Sequence, residues 1–279
     1  MAQRIGIIGH PNTGKSYSRL TIKDGENYFV ISPSQKFSFL KDSNGKAVKP
    51  LDIKTSQFDG FKDFKKKTGA KHPHQMVKAL SEQDELPEGV EITGNYVMCS
   101  MMEYVPAYLD LIDKFMPHIK AIFIADFTHY ISYVISSDFF RSRKKGGEAF
   151  ERYYDLAADS LHQIFLYIQN LEREDLLVVT EFHAEYDEEE DVYVIYVPAG
   201  KMIRNRFKPE SYFDFMIHTY VVPYEDEQDD TKRFKFVVQK VGKYDGRMTN
   251  LFADIQENGM IPNDMQLVLD KVSEFLGIE

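Results

Sequence analysis

Tryptophan is absent from this 279-residue chain, and cysteine occurs once, at Cys99. A single thiol excludes an intramolecular disulfide and suits a reducing compartment. The expected place for Cys99 is the core, as a small apolar residue. No apolar run reaches the ~18–20 residues that a membrane-spanning helix needs. No leader is expected either, since a strand pattern begins almost at the first residue. The expectation is a cytoplasmic protein with no membrane contact. Basic charge is short as well: 34 Lys and Arg stand against 44 Asp and Glu, a net charge of −10. That balance argues against a broad nucleic-acid-binding surface while allowing one local basic patch. Internal repeats and low-complexity linkers are missing, so the chain is expected to form one α/β domain over 1–279, with an insert at about 37–100.

What is present is a well-stocked core. Hydrophobic residues make up 43% of the chain, with 21 Phe and 17 Tyr. Near the start, RIGIIGHPNTGKSYSRL (4–20) runs from a β-rich apolar segment into Gly9-x-x-x-x-Gly14-Lys15-Ser16. This is the full phosphate-loop pattern, in the strand-to-helix setting that it requires. Glycines give such a loop the dihedrals that turn its N–H groups inward, and they let backbone approach phosphate closely. Gly9, His10, Pro11, Asn12, Thr13, Gly14, Lys15, Ser16 and Tyr17 are therefore the expected contacts of a nucleoside triphosphate. Lys15 would reach the β- and γ-phosphates and Ser16 would ligate Mg²⁺. A short helix over 15–20 would add its N-terminal N–H groups.

Further along, 120–126 (KAIFIAD) reads as a buried strand closed by Asp126. Ligands of an open α/β sheet sit beyond the carboxyl ends of its strands, so Asp126 is the expected second holder of Mg²⁺. Phe127 follows it where many mechanical ATPases carry a water-polarising glutamate. Glu103 and Glu181 are the candidate substitutes, and the strand 27–34 ends in Ser32 and Ser34 with no acid. LLVVTEFH (176–183) supplies Thr180, Glu181 and His183 at another strand end. PAGKMIRNRF (198–207) carries Lys201, Arg204 and Arg206 after a glycine turn, the form of a cationic finger acting on a neighbouring subunit's nucleotide. FFRSRKKGG (139–147) sets Arg141, Arg143, Lys144 and Lys145 beside two Phe residues, as a single-strand contact, a phosphate lid or a solvated loop.

The remaining pattern is a strand at 27–34, a hairpin or irregular insert at 37–61 turning at Ser43-Asn44-Gly45, and helices near 74–83 and 102–119. The strongest helical period spans 146–175. Extended segments follow at 191–201, 212–224 and 233–241, with an acidic hairpin tip at 185–191 and a closing helix at 264–276. Early strands alternate with helices and late ones do not. The fold class is thus α/β, a mostly parallel central sheet extended by antiparallel C-terminal strands.

In this order, GHPNTGKS, AIFIAD, the Gly-Gly-led long helix, VVTEFHAE, PAGK, YFDFMIHTYV and FKFVVQKVGKYDGR resemble the RecA-like P-loop ATPases of phages, the single-strand annealing proteins and their relatives among them. The resemblance covers roughly 4–20 and 120–250. It implies ATP and Mg²⁺ as ligands, self-assembly into a homo-oligomer, and work beside single-stranded DNA in phage replication or recombination, in the host cytoplasm. A nucleotide or nucleoside kinase is the alternative enzyme class. A non-hydrolysing protein that uses nucleotide as an assembly switch is the third reading.

Overall fold

The computed structural model describes residues 2–34, 39–55, 65, 66, 68–136, 147–198 and 201–278. Its strands are β1 (Gln3–Gly9), β2 (Tyr28–Ser32), β3 (Asp52–Thr55), β4 (Val90–Thr93), β5 (Tyr96–Met98), β6 (Ala121–Ile124), β7 (Leu177–Asp187), β8 (Val192–Ile195), β9 (Phe215–Val221), β10 (Phe234–Val237), β11 (Lys240–Val241), β12 (Tyr244–Asp245) and β13 (Met260–Pro262). The longer helices are α1 (Pro73–Ser81), α2 (Val105–Phe115), α3 (Phe127–Ser136), α4 (Gly147–Gln169) and α5 (Met265–Leu276).

Among the described residues the main sheet has nine strands, ordered β13-β10-β9-β1-β7-β6-β2-β5, with β8 paired to β7. From β9 to β5 every neighbouring pair is parallel. The β10 and β13 strands continue the sheet antiparallel, and β8 folds back on β7 as a hairpin. Parallel strands covered on both faces must be apolar on both, which is why residues 5–8 of β1, all of β6 and residues 177–179 of β7 read as apolar runs.

Alternation along each strand sends its side chains to two cores. Ile8, Phe29, Ile122, Val178 and Phe182 pack with the buried faces of α1 to α4. Ile5, Ile7, Val30, Phe123 and Val179 pack with Met265, Val268 and Val272 of α5. The 3.6-residue period of α4 is realised in Leu161, Ile164, Phe165 and Ile168, all buried. Asp264 caps α5 by accepting from the N–H of Leu267, and Gly277 ends it in the left-handed conformation at φ +69°. Cys99 is buried, as expected. No helix among the described residues is long and apolar enough to cross a membrane.

Two regions differ from the sequence pattern. The segment after the phosphate loop is a single 3₁₀ turn, Tyr17–Thr21, and Ile22 is already extended. Its hydroxyls explain the brevity: Ser18 donates to the carbonyl of Lys15 and Thr21 to that of Ser18, competing with a longer helical ladder. The insert, for its part, does not stand wholly apart from the sheet. The β3–β4 pair forms its own small ladder, but β5 adds to the parallel edge beside β2. The turn at Ser43-Asn44-Gly45 forms as expected: Asp42 accepts from the N–H groups of Asn44 and Lys46, and Gly45 takes φ +75°.

Candidate functional site

Strand β1 delivers its carboxyl end, Gly9, between two parallel neighbours, β7 and β9. Backbone dihedrals then turn the loop: Asn12 has φ +62° and Gly14 φ +94°. Among the described residues the N–H groups of Gly14 and Ser16 meet no protein acceptor. Unpaired N–H groups on a loop of alternating handedness make an anion-binding concavity. The Lys15 ammonium lies across the loop and donates to the carbonyls of Gly9 and His10, each at 2.7 Å. Gly9 is required here, since a Cβ would collide with the hydroxyl groups of Thr219 and Thr13. Those two hydroxyls lie 2.5 Å apart and tie the loop to β9.

The register of β7 against β1 places Glu181 opposite Ile7 and His183 opposite Gly9. Being two residues apart, they share one face at the rim of the loop. Glu181 is buried and accepts from the Ser16 hydroxyl at 3.1 Å and from the guanidinium of Arg19, also buried. Arg19 in turn lies over the ring of Phe123, 5.7 Å from its centroid.

On the other side of β7, β6 ends at Ile124, and Asp126 follows in the left-handed region at φ +55°. That turn starts α3 and leaves the Asp126 carboxylate 2.9 Å from His183 Nε2. The Thr128 hydroxyl accepts from the backbone N–H of His183 at 2.9 Å, latching the first turn of α3 to β7.

Among the described residues, one cavity of about 590 Å³ gathers Lys15, Ser16, Asp126, Glu181 and His183 with Pro11, Asn12, Gly14 and three aromatic residues, Tyr17, Phe39 and Phe234. No family model and no curated protein matches the chain. The site therefore stands on its own geometry.

The residues fit a triphosphate with Mg²⁺. Mg²⁺ keeps most of its waters and takes one or two protein oxygens besides phosphate, so it needs no cluster of protein ligands. Ser16 and Asp126 supply such oxygens. Ser16 spends its only proton on Glu181, which leaves its lone pairs for a cation. The loop supplies the unpaired donors and Lys15 the cation that phosphate oxygens require. Burial, with the charge of Lys15 and then His183, lowers the pKa of His10, so this loop histidine stays neutral near pH 7.

Other candidates fall elsewhere. Arg204 donates to the Ile195 carbonyl and to Glu210, at 2.8 and 3.0 Å, and lines a separate cavity under the β7–β8 hairpin. Lys201 opens the same helical turn, Lys201–Arg204. Arg206 pairs with Asp155. Glu103 lies near Tyr133, away from the loop cavity, and the Ser32 hydroxyl donates to the carbonyl of Ser34. Arg141, Arg143, Lys144 and Lys145 lie outside the described residues.

Sequence reasoning missed Arg19, Thr219, Phe39 and Phe234. Only Arg19 carried a signal, a cation one turn beyond Lys15. The others reach the loop from distant strands and loops.

Proposed function

We propose that this chain is a Mg²⁺-dependent ATP-binding and ATP-hydrolysing protein of RecA-like type. The carrying observation is the convergence of the unpaired N–H groups of Gly14 and Ser16 with Lys15, Asp126, Glu181 and His183 on one cavity. Lys15 exchanges the loop carbonyls for the β- and γ-phosphates, and the loop N–H groups hold the anion in place. Ser16 and Asp126 would hold Mg²⁺, which would supply charge that offsets the negative charge of the transferring group. His183, held by Asp126 at 2.9 Å, positions a water at the far end of the phosphate chain. Glu181, held by Arg19, accepts from the Ser16 hydroxyl and orients it.

The RecA-like assignment draws on the order of the motifs, and the antiparallel continuation of the sheet through β10 and β13 supports it. By that resemblance the protein assembles as a homo-oligomer and works beside single-stranded DNA in phage recombination or replication.

The test is steady-state hydrolysis with Mg²⁺, with and without single-stranded DNA, beside a sizing measurement under both conditions. Turnover stimulated by DNA in a larger assembly is the expected result. Phosphate transfer to a nucleoside would place the chain among kinases instead. Tight binding without turnover would make the nucleotide a switch, which a Glu181 committed to Arg19 would explain.

A further inference from the structure

The cavity at the loop is lined by two chemically different sets of residues. Ionisable groups and the Ser16 hydroxyl form one set. Tyr17, Phe39 and Phe234 form the other with Pro11 and Asn12, and Phe39 lies beside Arg19, the partner of Glu181. Tyr17 is half exposed, directly beyond the loop, and its ring centroid lies 6.0 Å from that of Phe234. Phe234 in turn packs against Gly14, where a Cβ would stand 3.0 Å from its ring. One continuous surface therefore runs from loop backbone to aromatic face. The amide of Asn263 lies on the same side of Gly14, but its nitrogen and oxygen are buried there and it does not line the cavity.

We infer that the nucleobase of the bound triphosphate is held by stacking on Tyr17 and Phe234 and is not read along its hydrogen-bonding edge. The proposal rests on the phosphate-loop reading and extends it to substrate range: purine nucleoside triphosphates in general, with the affinity set by phosphate and ring area. Every base offers a π-face, so stacking tolerates base identity, whereas discrimination requires paired donors and acceptors. Beside the aromatic faces, among the described residues, the cavity offers that reading only Asn12 and the hydroxyl of Tyr17 itself.

The experiment is calorimetric titration of the full chain with ATP, GTP and inorganic tripolyphosphate, each with Mg²⁺. ATP and GTP should bind within about tenfold of each other, and both more tightly than tripolyphosphate. Tyr17→Ala should weaken both nucleotides roughly 5- to 150-fold, the range for one lost stack. Tripolyphosphate should stay within about twofold, because that ligand has no ring to stack. Tyr17→Phe should restore nucleotide binding, which separates stacking from any misfolding of the alanine variant.

A preference for ATP over GTP beyond about 100-fold would overturn the proposal and point to an edge-reading group, Asn12 first. Equal loss of tripolyphosphate and nucleotide in Tyr17→Ala would also overturn it, since Tyr17 would then be supporting the loop. If the wild-type protein bound none of the three ligands, the phosphate-loop reading itself would fall.

Discussion

Arg19 and Glu181, 162 residues apart, form a buried ion pair directly beneath the phosphate loop, with 1% and 2% of their side chains exposed. A pair taken this far out of water gains little over apolar residues of equal volume, but breaking it strands a charge. Arg19→Met should therefore destabilise the protein by about 3–5 kcal/mol. Adding Glu181→Leu to that variant should recover most of the loss. Urea unfolding of the single and double variants checks this, and a double variant no more stable than the single one would refute it.

Lys15→Ala should cost triphosphate affinity while sparing the fold. The side chain is only partly buried and its partners are loop carbonyls. Removing a charge-assisted contact of about 1.5–3 kcal/mol corresponds to roughly 10- to 150-fold in Kd. Calorimetry would show it, and unchanged affinity would count against the loop as the binding site.

Asp126→Asn should separate binding from turnover. The amide keeps the size of the side chain but removes the charge that faces His183 and, on the proposed reading, would face Mg²⁺. Nucleotide binding without Mg²⁺ should persist while Mg²⁺-dependent hydrolysis falls at least ~100-fold, the scale on which single catalytic contacts act. Wild-type turnover would exclude Asp126 as the metal-holding acid.

Stability should fall on mild acidification because of His218. This β9 residue is 1% exposed, and its two ring nitrogens have no hydrogen-bond partner among the described residues. Burial pushes its pKa down to about 4; nearby Asp245 opposes that shift, and Arg247 and His10 add to it. Between about pH 6.5 and 4 the unfolded chain binds a proton that the native one does not, so stability declines as the pH drops through that window. At full extent the effect is about 3 kcal/mol. His10, His74 and His118, all lowered chiefly by burial, act in the same direction. Denaturant unfolding at pH 7.5 and pH 5 should show the decline, and His218→Leu should flatten it. An equal decline in that variant would assign the effect to other groups.

Gly9→Ala should destabilise the β1–β9 seam, because the new methyl group meets Thr219. Overpacking of this kind costs about 1–3 kcal/mol. Thr219→Ala removes the obstructing hydroxyl and should restore part of the loss in the double variant. Thermal unfolding of the two would decide it.

Much of this layout could be read from the sequence because the physics behind it is local. The continuous apolar runs of β1 and β6 could only be strands buried on both faces, and Asp126 fell at a strand end for the same reason. Strand β7 extends to Asp187, beyond its apolar run, because Glu185 and Asp187 pair across the hairpin with Val194 and Val192. That length depends on a partner strand, which a one-dimensional pattern does not reveal. The insert was opaque for a similar cause: β5 has three residues and owes its place to β2. At the site, glycine spacing announced the loop, but Thr13 and Thr219 meet across 206 residues, and the ion pair of Glu181 spans 162.

The central place of β1 has a consequence for how the protein is made. Its loop leaves the ribosome before either of the strands that flank it, both of which come much later in the chain. At about 5–20 residues per second, the 206 residues from Thr13 to Thr219 take about 10–40 s to synthesise. Until β7 is made, Ile5, Ile7 and Ile8 lack both flanking strands, and until Thr219 is made the loop lacks its tie to β9. On the proposed reading, nucleotide therefore cannot template the early chain; it can stabilise only the finished one.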